Sequence, residues 1–229
     1  MKKLIYISLI SFLLLACTKG GGNMYVEGRA YNPATGEGLK NIKIQLWKEQ
    51  PSSGYIGPST SKKFVETTYT DADGNYKIKH TGVFQAFYLE VTDYGENYPI
   101  GWVDISTKKK NYANVIAINS VKMIKSKNMH ADFQAVPYGY LKLSIHNVNC
   151  QGGGDSMRFR FQTIGESDFE SWSNYRTGCY MYDDPGGGAK VPMGWRVYQW
   201  EVTRNGSVNY YTDSVFVPNN NSTTFTINY

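Results

Sequence analysis

The sequence predicts an all-β protein of two consecutive β-sandwich domains, and three observations predict it. Apolar residues recur on alternate positions in several runs, such as Ile42, Ile44 and Leu46, or Leu141, Leu143 and Ile145. That period places one set of side chains on one face of a strand. Turn-forming Gly, Asn, Asp and Pro residues punctuate the runs at short intervals, a spacing that suits a sandwich better than alternating strands and helices. Aromatics make up 15% of the chain, 19 of them tyrosine, a balance that favours strands. No segment carries helix caps together with 3.6-residue periodicity.

The first element is a leader. Met1-Lys2-Lys3 precedes an apolar run over residues 4–16, broken only by Ser8 and Ser11, and then Cys17. This is the charged start and short apolar stretch of a secretory signal; a spanning helix needs about 20 apolar residues. Leu14-Leu15-Ala16-Cys17 resembles the bacterial lipobox, which implies cleavage after Ala16 and diacylglycerol on the Cys17 sulfur. The expected boundaries are a cleaved signal peptide over 1–16 and a lipidated, glycine-rich tether over 17–23, with the membrane as partner through the lipid. Loss of Lys2 and Lys3 lowers the formal net charge from +5 to +3, too mild a balance to imply nucleic acid.

The first sandwich is expected over 24–136. Ile42, Ile44 and Leu46 share a strand face, with Lys43 and Gln45 on the other. Pro51, Gly54, Gly57 and Pro58 make residues 50–63 a surface loop. A strand resumes at Phe64, and Thr70-Asp71-Ala72-Asp73-Gly74-Asn75 supplies the turn of a hairpin to Tyr76. Further strands are expected within 84–92, 115–124 and 129–136, and Lys108-Lys109-Lys110-Asn111 is a solvated loop. The second sandwich is expected over 137–229, with Pro137 at the seam because it cannot donate to a sheet ladder. Leu141, Leu143 and Ile145, then Met157, Phe159 and Phe161, then Tyr198, Trp200 and Val202 mark half-buried strands. Asn205-Gly206 turns the chain into a return strand over 208–217, and Phe225, Ile227 and Tyr229 close the molecule.

Val26-Glu27-Gly28, Thr35-Gly36, Leu39, the Ile42, Ile44, Leu46 alternation, Thr70-Asp71 and Gly74-Asn75-Tyr76 together resemble the carboxypeptidase regulatory-like, transthyretin-like domain. The resemblance is clearest over 25–80. It implies a seven-stranded Greek-key sandwich without catalytic residues of its own, appended to exported enzymes, adhesins and transport receptors. Residues 138–229 are similar in a general way to immunoglobulin-like or fibronectin-like modules.

With Cys17 committed to lipid, Cys150 and Cys179 form an even pair in a disulfide-permissive compartment and are expected to bond to each other. His80, His130 and His146 stand apart from one another, and no metal site or cofactor is expected. Asp71-Ala72-Asp73-Gly74-Asn75 lacks the glycine and glutamate positions of a calcium loop. The candidate ligand-binding residues are Trp172, Tyr175, Tyr180, Tyr182 and Trp195, near Arg176, Asp183 and Asp184. Such rings beside hydrogen-bonding groups suit a sugar platform; the competing and stronger reading is a small core beside the disulfide. These features point to a non-catalytic lipoprotein of the bacterial envelope, a binding or accessory module for a glycan or an envelope protein. It would be anchored to the outer membrane, with the periplasmic face favoured over the surface. The alternatives are a structural or adhesive subunit of a surface complex, and a glycan-active enzyme using Asp183 and Asp184, although adjacent carboxylates are not the opposed pair that such chemistry needs.

Overall fold

The computed structural model describes residues 22–52, 59–82, 86–107, 110–111, 120–122 and 128–229. The expected signal peptide and Cys17 lie outside the described residues, as do Lys108, Lys109 and, apart from 120–122, the strand expected within 115–124. Within them the chain is all-β, as its alternation predicts, with sixteen strands and no helix. It divides into two compact units. The first takes the chain up to Tyr31, Glu37–Asp93 and Trp102–Phe133; the second takes Asn32–Gly36, Tyr94–Gly101 and Gln134–Tyr229. The second unit thus begins three residues before the expected boundary and recruits two short earlier segments.

In the first unit one sheet joins β1 (Gly22–Tyr31), β4 (Asn75–Gly82), β6 (Asn97–Thr107), β7 (Lys110–Asn111) and the start of β9 (Asn128–His146) in the order β4-β1-β9-β6-β7. The other joins β2 (Lys43–Ser52), β3 (Ser59–Tyr69), β5 (Phe87–Asp93) and β8 (Ser120–Lys122) in the order β3-β2-β5-β8. Ile42, Ile44, Leu46 and Leu89 are buried, as are Val26, Trp102 and Phe133. The ring of Trp102 meets Phe133 edge-on at 5.3 Å and Tyr76 at 6.3 Å.

Four expectations for this part are corrected. Lys110–Asn111, expected in a loop, form β7 and pair with Ser106 and Thr107 of β6. Residues 50–52 and 59–63 belong to β2 and β3, which pair as far as Ser52 and Ser59, rather than to a loop. Pro51 is tolerated because, among the described residues, β2 has no neighbour on its β5 side beyond Glu49, whose amide donates to the Ala86 carbonyl at 2.8 Å. Residues 70–75 do not close a hairpin: β3 lies in one sheet and β4 in the other. The turn is held by Asp71, whose Oδ1 accepts the amides of Asp73 at 3.0 Å and Asn75 at 2.8 Å. The buried Thr70 hydroxyl takes the Ile42 amide at 2.9 Å, which sends the chain across instead of back. Finally, β9 runs unbroken through Pro137, because the ladder uses the Pro137 carbonyl, which accepts the Met193 amide at 2.8 Å.

In the second unit β9 lies beside β12 (Met181–Asp183) and β13 (Ala189–Pro192) on one side and parallel to β16 (Ser222–Asn228) on the other. The facing sheet has the order β11-β10-β14-β15, from Arg176–Thr177, Ser156–Gln162, Gly194–Arg204 and Ser207–Val217. Leu141, Ile145, Met157, Tyr198, Val202, Phe225 and Ile227 form the core between them. Asn205 and Gly206, both at positive φ, make the expected two-residue turn, and every residue of β15 pairs with β14.

Candidate functional site

Alternation that turns Met157, Phe159 and Phe161 inward turns Arg158 and Arg160 outward. On β14, inward Tyr198, Trp200 and Val202 leave Gln199 and Glu201 on the same outer face. Register sets Arg158 opposite Glu201 and Arg160 opposite Gln199, with Tyr210 of β15 beyond Glu201. Arg158 Nη2 donates to Glu201 Oε2 at 2.7 Å, and Arg160 Nε donates to Gln199 Oε1 at 2.7 Å.

The chain between β10 and β11 then lays aromatic rings over these arginines. It is fastened along β10: the Ser173 amide donates to the Phe159 carbonyl and the Glu170 amide to the Phe161 carbonyl, both at 2.8 Å. The Ser173 hydroxyl accepts the Phe159 amide at 3.0 Å. Trp172 consequently lies 4.8 Å from the Arg158 guanidinium and 4.5 Å from that of Arg160. Tyr175 lies 4.8 Å from Arg158 and donates its hydroxyl to Glu201 Oε1 at 3.0 Å. Each guanidinium is thus shared between a ring face and a hydrogen-bonding partner, an arrangement that fixes ring orientation. Tyr175 is 50% exposed and Tyr210 62%.

The structure separates the five expected ligand-binding rings. Trp172 and Tyr175 lie over the arginine row. Trp195, 61% exposed, sits farther along β14, edge-on to Phe216 at 5.5 Å. Tyr180, which packs against the core, and Tyr182, opposite Ile145 on β12, both line a cleft at the side of the sandwich. Arg158, Arg160, Glu201 and Tyr210 were missed in the sequence. The signal that would have found three of them is the parity of their strands: in a half-buried strand the residues between core positions form one outer row.

Cys150 and Cys179 are bonded, with Cα atoms 5.1 Å apart. Their loop is anchored by buried Asp155, which accepts the Gln151 amide and Asn147 Nδ2, both at 3.0 Å, and pairs with Arg204 Nε at 3.4 Å. Asn147 also accepts from Arg204 Nη2 at 2.7 Å. On the outer face of β9 and β12, Asp183 Oδ1 lies 2.9 Å from His146 Nε2, and the Asp183 carboxylate also takes a hydrogen bond from Ser144. The carboxylate holds both partners, so the serine proton is directed to the acid and not to the imidazole, unlike a nucleophilic relay. Asp183 and Asp184 do not face each other across a site: Asp183 is on this outer face, while Asp184 lines the cleft. A polar depression of 670 Å3 on the first unit, over Gly28 and Tyr76, has its three acids already engaged, Asp132 by the Arg29 amide and His130, Asp71 by its turn, and Glu27 by the Tyr25 hydroxyl. Among the described residues no group of three or more His, Cys, Asp or Glu is placed to hold a metal ion.

The Arg158 hydrogen bond holds the Glu201 carboxyl below its ordinary range, the Gln151 amide does the same for Asp155, and the Ser144 hydroxyl for Asp183. Groups depressed on folding stabilise the native state above their unfolded pKa, and that contribution is lost as pH falls through the folded values. The second unit is therefore expected to lose melting temperature below about pH 4. Glu201→Gln should show a shallower fall than wild type in thermal melts from pH 7 to 3; parallel curves would remove Glu201 from this account.

No family model matches the chain, and no curated protein matches it. Solved structures similar to it include the Bacillus anthracis TIE protein, at 12% identity and a TM-score of 0.32, covering 91% of this chain and 34% of that one. The chain therefore spans about a third of that protein's length. A double mutant of the shaft pilin SpaA from Lactobacillus rhamnosus GG is similar at 12% identity and a TM-score of 0.30, over 91% of this chain and 97% of the pilin. GBS52, the minor pilin of Streptococcus agalactiae, is similar at 11% identity and a TM-score of 0.31, over 90% and 94%. No site residue and no activity follows from likenesses this distant.

Proposed function

We propose that this chain is a lipid-anchored, non-catalytic envelope module whose second unit binds a glycan on the outer face of β10, β14 and β15. One observation carries the reading: Trp172 and Tyr175 are held at the surface by Arg158, Arg160 and Glu201 before any ligand arrives. Pyranose C–H faces stack on such rings, and Gln199, Tyr210 and the two arginines offer donors and acceptors for hydroxyls. Rings already fixed lose little freedom on binding, which favours affinity. Trp172→Ala is expected to lower glycan-array binding at least tenfold. Its two cation–π contacts are worth about 0.5–1 kcal/mol each, so the melting temperature should fall by roughly 3–10 °C. A wild-type protein that binds no glycan on the array would end the proposal.

A specific observation favours a second reading, a structural or adhesive subunit. The edge strand β15 spans eleven residues, pairs only with β14 among the described strands, and carries Asp213 as its one charged residue. Natural edges are usually blunted by charge, proline or bulges, and this one offers a template for another strand. The lipid anchor, and with it outer-membrane placement, rests on the leader sequence and Cys17. Cys17→Ala should leave an unprocessed precursor without lipid label in cells fed a labelled fatty acid; equal labelling of mutant and wild type would refute the anchor.

A further inference from the structure

The side of the second sandwich between β10 and the β12, β13 edge is incompletely closed. β12 and β13 have three and four residues, and β11, opposite them, has two. Neither flank carries enough strand to cover the core there. A cleft of 470 Å3 remains, walled by Leu143, Phe159, Phe161 and Val191, which are only partly buried. This volume falls within the range of small-molecule pockets, about 300–1,000 Å3.

At one end of the cleft lies Arg196. Two residues before inward Tyr198, it shares the core-facing side of β14 and is only 8% exposed. Its guanidinium lies 3.8 Å from the centre of the Phe161 ring. Its Nε has no hydrogen-bond partner, and no described carboxylate lies within ion-pairing distance. The acids whose fields reach it are Glu166 and Glu170, and Glu166 already accepts the Thr163 amide at 2.9 Å. A buried charge is ordinarily paired, because its desolvation is otherwise uncompensated. Arginine keeps its charge even here, since it does not deprotonate in proteins.

We propose that the cleft binds a small amphiphilic carboxylic acid, with the carboxylate on Arg196 and the apolar body along Leu143, Phe159 and Phe161. The forked guanidinium matches a carboxylate in charge and in geometry. A phosphate monoester would bring a second negative charge, and Asp184 on the lining disfavours it. Arg176, the other arginine of the cleft, pairs with Met157, four residues along β10 from Phe161. That is roughly 13 Å at strand rise, too far to share one carboxylate; the Arg176 Nε is also unpartnered, but Arg196 is the more deeply buried of the two, so the head group goes to Arg196. The site is distinct from the arginine row on the outer face.

The test is calorimetric titration of the whole protein with decanoate, decanol and decylammonium. Decanoate should bind, decanol at least tenfold more weakly and decylammonium not at all. Arg196→Met should weaken decanoate at least tenfold while leaving decanol unchanged. Leu143→Trp, which fills the cleft and leaves Arg196 intact, should abolish binding of both, and it serves if Arg196→Met fails to fold. Trp172→Ala should leave decanoate affinity unchanged, which keeps this proposal separate from glycan binding. Absence of decanoate binding, equal affinity for decanoate and decanol, or decanoate affinity unaffected by Leu143→Trp would overturn it.

Discussion

Gly28→Ala is expected to unfold the first unit. Gly28 sits on β1 directly opposite Tyr76 of β4, and the Tyr76 ring passes over it to donate its hydroxyl to the Ala131 carbonyl on β9 at 2.6 Å. A Cβ at position 28 would come within 1.8 Å of that carbonyl oxygen and 2.9 Å of the Tyr76 ring. The first contact is with backbone held in a sheet, so relief requires opening the β1 to β9 pairing and exposing buried Tyr76. The cost falls among the exceptional ones, above about 4 kcal/mol. Burial raises the Tyr76 hydroxyl far above its ordinary value, so the bond persists across the neutral range. Tyr76→Phe, which removes only the donor, should cost about 1–3 kcal/mol by leaving the carbonyl unsatisfied. Denaturant unfolding with hydrogen exchange on β1 and β4 measures both; a Gly28→Ala protein as stable as wild type would show that the strands can part there without loss.

Removal of the Cys150 to Cys179 bond has the second large effect. The two cysteines are 29 residues apart, and chain-entropy reasoning puts the stabilisation at about 3.5 kcal/mol. For a unit of this size that corresponds to a fall in melting temperature of roughly 10–20 °C. The Asp155, Asn147 and Arg204 network remains after reduction, so the unit should still fold, less stably. Calorimetry of Cys150→Ser/Cys179→Ser against wild type measures the drop, and a linked peptide in unreduced digests confirms the bond. An unchanged melting temperature would mean that the network alone fixes the loop. The bond lies with that network, whereas the posture of Trp172 is set by Arg158, Arg160 and Ser173.

The candidate site was half legible. The rings of the segment were visible as a cluster of aromatic letters, yet they divide among the outer face, the core and the cleft. Residues 163–180 lack regular alternation, so nothing local says which way each ring turns. Arg196 was open to inference, because it shares parity with Tyr198 and Trp200, and an arginine at a core-facing position is a buried charge seeking a partner.

The sequence by itself determined which residues face inward, because alternation is a local property of an extended chain: Ile42, Ile44 and Leu46, and likewise Met157, Phe159 and Phe161. It also determined the Asn205-Gly206 turn, where two consecutive positive φ angles suit few other residues, and it supplied the even cysteine pair. Only the tertiary structure decided which strand each strand meets. Residues 70–75 carry good hairpin letters, yet they cross between sheets, because the Thr70 and Asp71 hydrogen bonds and the burial of Tyr76 over Gly28 outweigh pairing of β4 with β3. β9 passes through Pro137 for the same kind of reason: a proline ends a strand only where its missing N–H is needed, and that need is set by the neighbouring strand.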